Sequence, residues 1–241
     1  MLRWWDGGSW TAHTHPAVAT AHHQALSGSW GGTSVALQVA LLLSAAAAAF
    51  TLWTDVQILA FVDDLRLRPD SVTQADGARI DRLMAVSGVE VATSLLTGVL
   101  FIVWLYTAHH SARMDRSSLR HASGWAIGGW FVPVLNLWRP FQMVSDLRRG
   151  ATADDEAPVP LVQGWWWGTY LASNLLAIVS AALYERAQGT PEADFAAYVD
   201  RLATGASWER WSCAFTIVAA ALAIKLVRDL TALVRTPPAS G

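Results

Sequence analysis

The chain has 241 residues, 53% of them apolar and 15% charged, with a net charge of -2. That charged share falls well below the roughly 25% usual in soluble domains, and the apolar residues gather into long blocks, so an ordinary soluble core is excluded. With no excess of basic charge, nucleic acid is not a favoured partner. The one cysteine, Cys213, has no partner for an internal disulfide and lies in an apolar run, as small buried filler.

Residues 1–32 are rich in Gly, Ser, Ala, His and Thr without helical or strand period, and predict a flexible tail. Trp4, Trp5 and Trp10 in this tail suit contact with a membrane surface. His13 with His15, and His22 with His23, lack a carboxylate or cysteine to complete a site, so no metal is expected there. The first apolar block, 34–53, is long enough at about 1.5 Å per residue to cross roughly 30 Å of hydrocarbon. The long, almost uncharged stretch before it argues against a cleaved signal peptide.

Residues 54–85 carry six aspartates and four arginines and read as a polar loop with short amphipathic helices. The second block, 86–106, is interrupted by Glu90 and ends in Trp104 and Tyr106, rings suited to an interfacial belt. A basic loop follows. The stretch GWAIGGWFVPVLNLWRPFQMV, 124–144, is apolar but broken by Pro133 and Pro140 and interrupted by Asn136 and Arg139. Each proline removes a backbone donor and turns the preceding residue away from helix, so a straight span is not expected. About nine residues, Trp125 to Pro133, give roughly 13 Å of helix, half the hydrocarbon thickness. The segment is therefore predicted to enter one leaflet and return, with Asn136 at the turn satisfying freed backbone groups, and to continue to residue 149 as an interfacial amphipathic helix.

Trp165, Trp166 and Trp167 open the third clear block, 165–184, which closes at Tyr184. A second acidic loop, 185–210, precedes the last block, 211–226, with Lys225 near its end. The fold class is thus all-α: a polytopic membrane bundle of four transmembrane helices plus a proline-broken re-entrant or interfacial segment. Its membrane domain covers 33–235, with a short tail at 236–241.

With four spans, both termini and the central loop share one side. That side holds ten of the seventeen Lys and Arg residues, which marks it cytoplasmic under the positive-inside rule. The expected location is a bacterial plasma membrane, since a single lysine against sixteen arginines and abundant alanine suggest a GC-rich genome.

Three stretches carry a family resemblance: WLYTAHHSA at 104–112, GWAIGGWFVPVLNLWRPFQMVSDLRRG at 124–150 and GWWWGTYLASN at 164–174. Together they resemble a bacterial membrane family common in actinobacteria, the domain of unknown function numbered 4328. The resemblance implies a multi-span membrane protein with no assigned activity, and no catalytic residue is carried over with it.

Candidate functional residues are few. Glu90 is an ionisable group inside an apolar run and a site candidate on that ground, or a carboxylate paired with an outer-loop arginine such as Arg82. Glu90, Ser94 and Gly98 share one helix face that would let another helix approach closely, and Asn174 is placed to hydrogen-bond across helices. Arg113, Arg116, Arg120, Arg148 and Arg149 can lie at the cytoplasmic leaflet, each worth about 1 kcal/mol with anionic lipid. The chain has no H-E-x-x-H, phosphate-binding glycine loop or nucleophile elbow, so neither an enzyme nor a cofactor is expected. The leading reading is a non-enzymatic protein that binds lipid, a membrane-protein partner or its own copy. The alternative is a small transporter or channel using the broken segment near Asn136 with Glu90 and Asn174. An intramembrane enzyme is a distant third.

Overall fold

Apolar and small residues recur along the first long helix at alternating steps of four and three. Leu37, Leu41, Ser44, Ala48, Thr51, Asp55, Ile58 and Val62 are all buried, forming one seam with a 3.5-residue period. A computed structural model describes residues 2–5, 8, 10–15, 20–111, 114–191 and 194–235, with side chains from Gly31 onward apart from Ser87. Its helices are α1 (Thr20–Leu67), α2 (Gln74–His109), α3 (Trp125–Phe131), α4 (Arg139–Thr152), α5 (Leu161–Gln188) and α6 (Phe195–Arg235). Three of them, over Gly31–Leu67, Gln74–His109 and Leu161–Gln188, are long and apolar enough to cross a membrane. The architecture is an all-α membrane helical bundle.

The predicted last span, 211–226, lies within α6, which is not among those three. Its apolar side chains turn inward, with Ala219, Ala220, Ala223, Leu226 and Val227 buried. α6 runs antiparallel to α1, because Ser34 meets Thr231 at one end, 2.9 Å between hydroxyls, while Arg66 pairs with Asp200 at the other. Ser44 and Thr97 join α1 to α2 at 2.8 Å. On the other side, Ser212 Oγ donates to the Ser173 carbonyl at 2.9 Å and Ser180 Oγ to that of Gly205 at 3.0 Å, joining α5 to α6. Gly205 fits closely there, since a Cβ would sit 3.2 Å from the Tyr184 ring.

The two acidic regions read as loops are largely helix. α1 continues to Leu67 and α2 begins at Gln74, with Thr73 closing a capping box on Asp76; α5 runs to Gln188 and α6 begins at Phe195. The extensions bury their own small core of Ile58, Val62, Ile80, Val199, Leu202 and Ala206. Charged residues such as Asp63 and Asp200 occupy the exposed faces, as amphipathic helices require.

The N-terminal region read as a tail without period contains two antiparallel strands, β1 (Leu2–Trp5) and β2 (Trp10–His15), pairing Leu2 with His15 and Trp5 with Trp10. Asp6, Gly7, Gly8 and Ser9 between them are turn formers, a hairpin signal legible in the sequence. The side chains of Trp4, Trp5, Trp10 and the four histidines of this region fall outside those described.

Candidate functional site

The prolines act where they were placed. α3 has seven residues, about 10 Å of helix, and stops at Val132, which is extended before Pro133. After the 3-10 turn Leu135–Leu137, α4 starts with Pro140 in its first turn, where a missing N–H costs nothing. The segment doubles back on itself. The Arg139 guanidinium lies over the Trp125 ring, 4.9 Å from its centroid, and a Cβ on Gly129 would meet Arg139 Cγ at 2.6 Å. Both ends of the segment therefore lie at the same end of the bundle.

The segment rests on an aromatic core. Phe101 of α2 stacks on Trp166 of α5 with centroids 5.4 Å apart, and Trp130 of α3 packs edge-on against Phe101, Trp167 and Tyr170. Trp167 Nε1 donates to the Leu137 carbonyl at 2.9 Å and so holds a backbone group in the broken segment. The Asn136 side chain does not take that role: its buried Oδ1 has no partner, and the 2.8 Å bond to the Val132 carbonyl is made by the backbone N–H. Of the rings read as a belt, Trp165 is exposed, whereas Trp104, Trp166 and Trp167 are buried in this core.

α4 lies across the end of the bundle rather than on its surface, burying Met143, Val144, Ser145, Asp146, Leu147 and Gly150. His109 Nε2 bonds the Met143 carbonyl at 2.8 Å, and Gln163 Nε2 donates to the Phe141 carbonyl at 3.0 Å and to Ser145 Oγ at 2.7 Å. Asp146 is wholly buried and accepts from the His121 N–H, His121 Nδ1 and Arg149 Nη1 at 2.9, 2.7 and 2.9 Å. Gly150 gives its carbonyl to the Asp115 N–H at 2.9 Å.

The five arginines separate accordingly. Arg116 and Arg120 are exposed, and Arg120 Nη2 also donates to the Asp155 carbonyl at 3.0 Å. Arg149 is half-buried against Asp146, while Arg148 is partly buried and desolvation holds its pKa below the usual arginine value. Arg113 lies outside the described residues. Asp115 accepts from the Ser117 N–H and from the hydroxyls of Ser117 and Ser118, and those bonds hold its carboxyl below the usual aspartate value.

Glu90, Asn136 and Asn174 share no hydrogen bond among the described residues. Asn174 is exposed and donates to the Tyr170 carbonyl of its own helix at 2.8 Å; the bond across to α6 is made by its neighbour, the Ser173 carbonyl. Ser94 is exposed and nothing approaches Gly98, so α1 meets α2 through Thr97, whose hydroxyl also donates to the Ala40 carbonyl at 3.1 Å. Glu90 sits near the middle of α2, well away from α4. Its carboxylate accepts from Cys213 Sγ at 3.7 Å, while Arg82 donates to the Ala78 carbonyl. Near Glu90 are two carboxylates absent from the sequence reading, Asp55 and Glu209. Their signal was positional: Asp55 continues the buried seam of α1, and Glu209 stands between Ala206 and Cys213 in the matching seam of α6.

Comparison with curated proteins and with solved structures gives no match. Residues 1–23 match a family described as Protein of unknown function (DUF2510). Residues 68–232, which take in the proline-broken segment, its aromatic core and most of the bundle, match the family described as Domain of unknown function (DUF4328). That match covers well over half of the chain, and the protein belongs to the DUF4328 family.

Proposed function

We propose that this is a non-enzymatic, four-span protein of a bacterial, actinobacterial plasma membrane, with cytoplasmic termini, which binds anionic lipid at the end of the bundle capped by α4. One observation carries the reading: Arg116 and Arg120 are exposed at the end where the re-entrant segment presents Phe131, Val134 and Leu137 outward. Cations above an outward apolar surface suit headgroups above acyl chains. In this reading α2, with Val91, Leu95 and Val99 exposed, also faces lipid chains.

The test is native mass spectrometry of the full-length protein released from vesicles of mixed phosphatidylglycerol and phosphatidylethanolamine. Wild type is expected to retain phosphatidylglycerol preferentially, and Arg116→Gln with Arg120→Gln to lose that preference, as should raised salt. Equal retention of both lipids by wild type would remove the lipid role. A second reading, transport, draws support from Asp55, buried far from α4 with its Oδ2 unpartnered.

A further inference from the structure

Where the main core gives way to the small second core, α1, α2, α5 and α6 leave a cavity of about 210 Å³. α1 contributes Thr51, Thr54 and Asp55 to its lining, at positions i, i+3 and i+4, and Thr51 Oγ1, Thr54 Oγ1 and Asp55 Oδ2 are buried. These residues are 2%, 1% and 1% exposed, and none of the three oxygens has a hydrogen-bond partner. Helical threonines ordinarily spend the hydroxyl on the preceding turn, as Thr107 and Thr169 do here. Glu209, Tyr184 and Gln188 complete the polar wall. A buried carboxylate oxygen and two idle hydroxyls are costly to leave unmatched.

We propose that this cavity is a binding site for a small organic ammonium, a protonated primary amine. Its N–H groups would be donors to the orphaned oxygens, and its positive charge would answer the two carboxylates, Asp55 and Glu209. Arg210, the neighbouring cation on α6, makes no ion pair with either among the described residues. Ile58, Met84 and the ring of Tyr184 supply an apolar wall for an alkyl chain, and a cation beside an aromatic face gains further attraction. A bare metal ion suits the wall less well. Among the described residues no three His, Cys, Asp or Glu side chains converge to hold one. Trp53, Trp208 and Trp211 are exposed around this level, as tryptophans are at a membrane interface, which places the cavity within reach of water-borne amines.

The test uses the full-length protein in lipid nanodiscs with 1,4-diaminobutane as probe, read by thermal unfolding and by equilibrium dialysis of radiolabelled probe. Saturable stabilisation is expected, since a ligand that binds only the folded state raises its midpoint. Sodium chloride at matched ionic strength should not reproduce it. Asp55→Asn and Thr54→Val should each weaken the dialysis affinity, Asp55→Asn by about tenfold or more, as loss of a charge-assisted bond implies. Thr54→Val serves if Asp55→Asn fails to fold. The site is refuted if the probe binds without saturation, if sodium chloride stabilises equally, or if Thr54→Val and Asp55→Asn bind like wild type.

Discussion

Arg139 lies over the ring of Trp125, 4.9 Å from its centroid, although fourteen positions separate them in a segment apolar enough to suggest a crossing. A helix through those positions would hold them about 20 Å apart. The contact closes the broken segment into a hairpin, and Gly129 is the tightest point of that closure. Gly129→Ala should cost about 1–3 kcal/mol, as overpacking does. Gly128→Ala, whose Cβ would meet Trp125 at an ordinary 3.8 Å, should be close to neutral. Thermal unfolding of both variants in micelles decides it; equal midpoints would contradict the packing.

Trp167→Phe removes the donor to the Leu137 carbonyl while keeping a ring in the aromatic core. A loss of about 1 kcal/mol is expected, more if the carbonyl stays dry. Trp165→Phe should be nearly silent, because that ring is exposed. Chemical denaturation of the pair is the measurement, and a cost for Trp165→Phe matching that for Trp167→Phe would contradict the assignment.

Asp146 gathers three donors in a fully buried position. Asp146→Ala strands the Arg149 guanidinium and the His121 N–H, so about 3 kcal/mol should be lost. Hydrogen exchange should speed up in α4 and around His121 before it does in α1. Uniform loss of protection across all helices would argue against a local role.

Asp115 sits outside the long helices with its carboxyl held below the usual aspartate range by Ser117 and Ser118. A depressed folded-state pKa means that the cap contributes above the unfolded value and is lost as pH falls through the folded one. The 3-10 turn Arg116–Ser118 should therefore keep its order at pH 5 and lose it at pH values below the ordinary 3.8. Amide exchange at Ser117 reads this directly. Asp115→Asn should respond weakly to the same acidification.

The topology is open to labelling in a Cys213→Ser background. Single changes Asp70→Cys and Asp155→Cys place thiols at exposed positions beyond the long helices, and Thr190→Cys places one at a half-buried position there. On intact cells an impermeant reagent should reach positions 70 and 190 and spare 155. Reaction at 155 with protection at 70 would invert the proposed orientation.

Much of this fold was legible in the sequence. The apolar blocks lie within helices because a backbone in hydrocarbon must bond itself, and Pro133 and Pro140 mark the breaks because a missing N–H cannot be hidden. The helical extensions were obscured by charge: residues such as Asp63 and Asp200 occupy one face, while Ile58, Val62, Val199 and Leu202 keep the seam on the other. Trp166 and Trp167 were assigned to the interface from residue type, yet Trp167 faces Trp130, a partner that only the doubled-back segment brings near, and Trp166 stacks on Phe101. Asp55 and Glu209 were hidden for the opposite reason, since counting charge per loop ignores the helical phase that points them inward.

The seam of α1 passes without interruption from Leu37 in the main core to Val62 in the second. Because both cores share one phase, the helix behaves as a single keyed shaft rather than as two segments joined end to end. One residue inserted between Ser44 and Thr51 would rotate everything beyond it by about 100°. Asp55 would swing out of its cavity while Ile58 and Val62 left their core together. Changes of length in this stretch are thus quantised, and only those that restore the heptad keep the two ends of the bundle in gear.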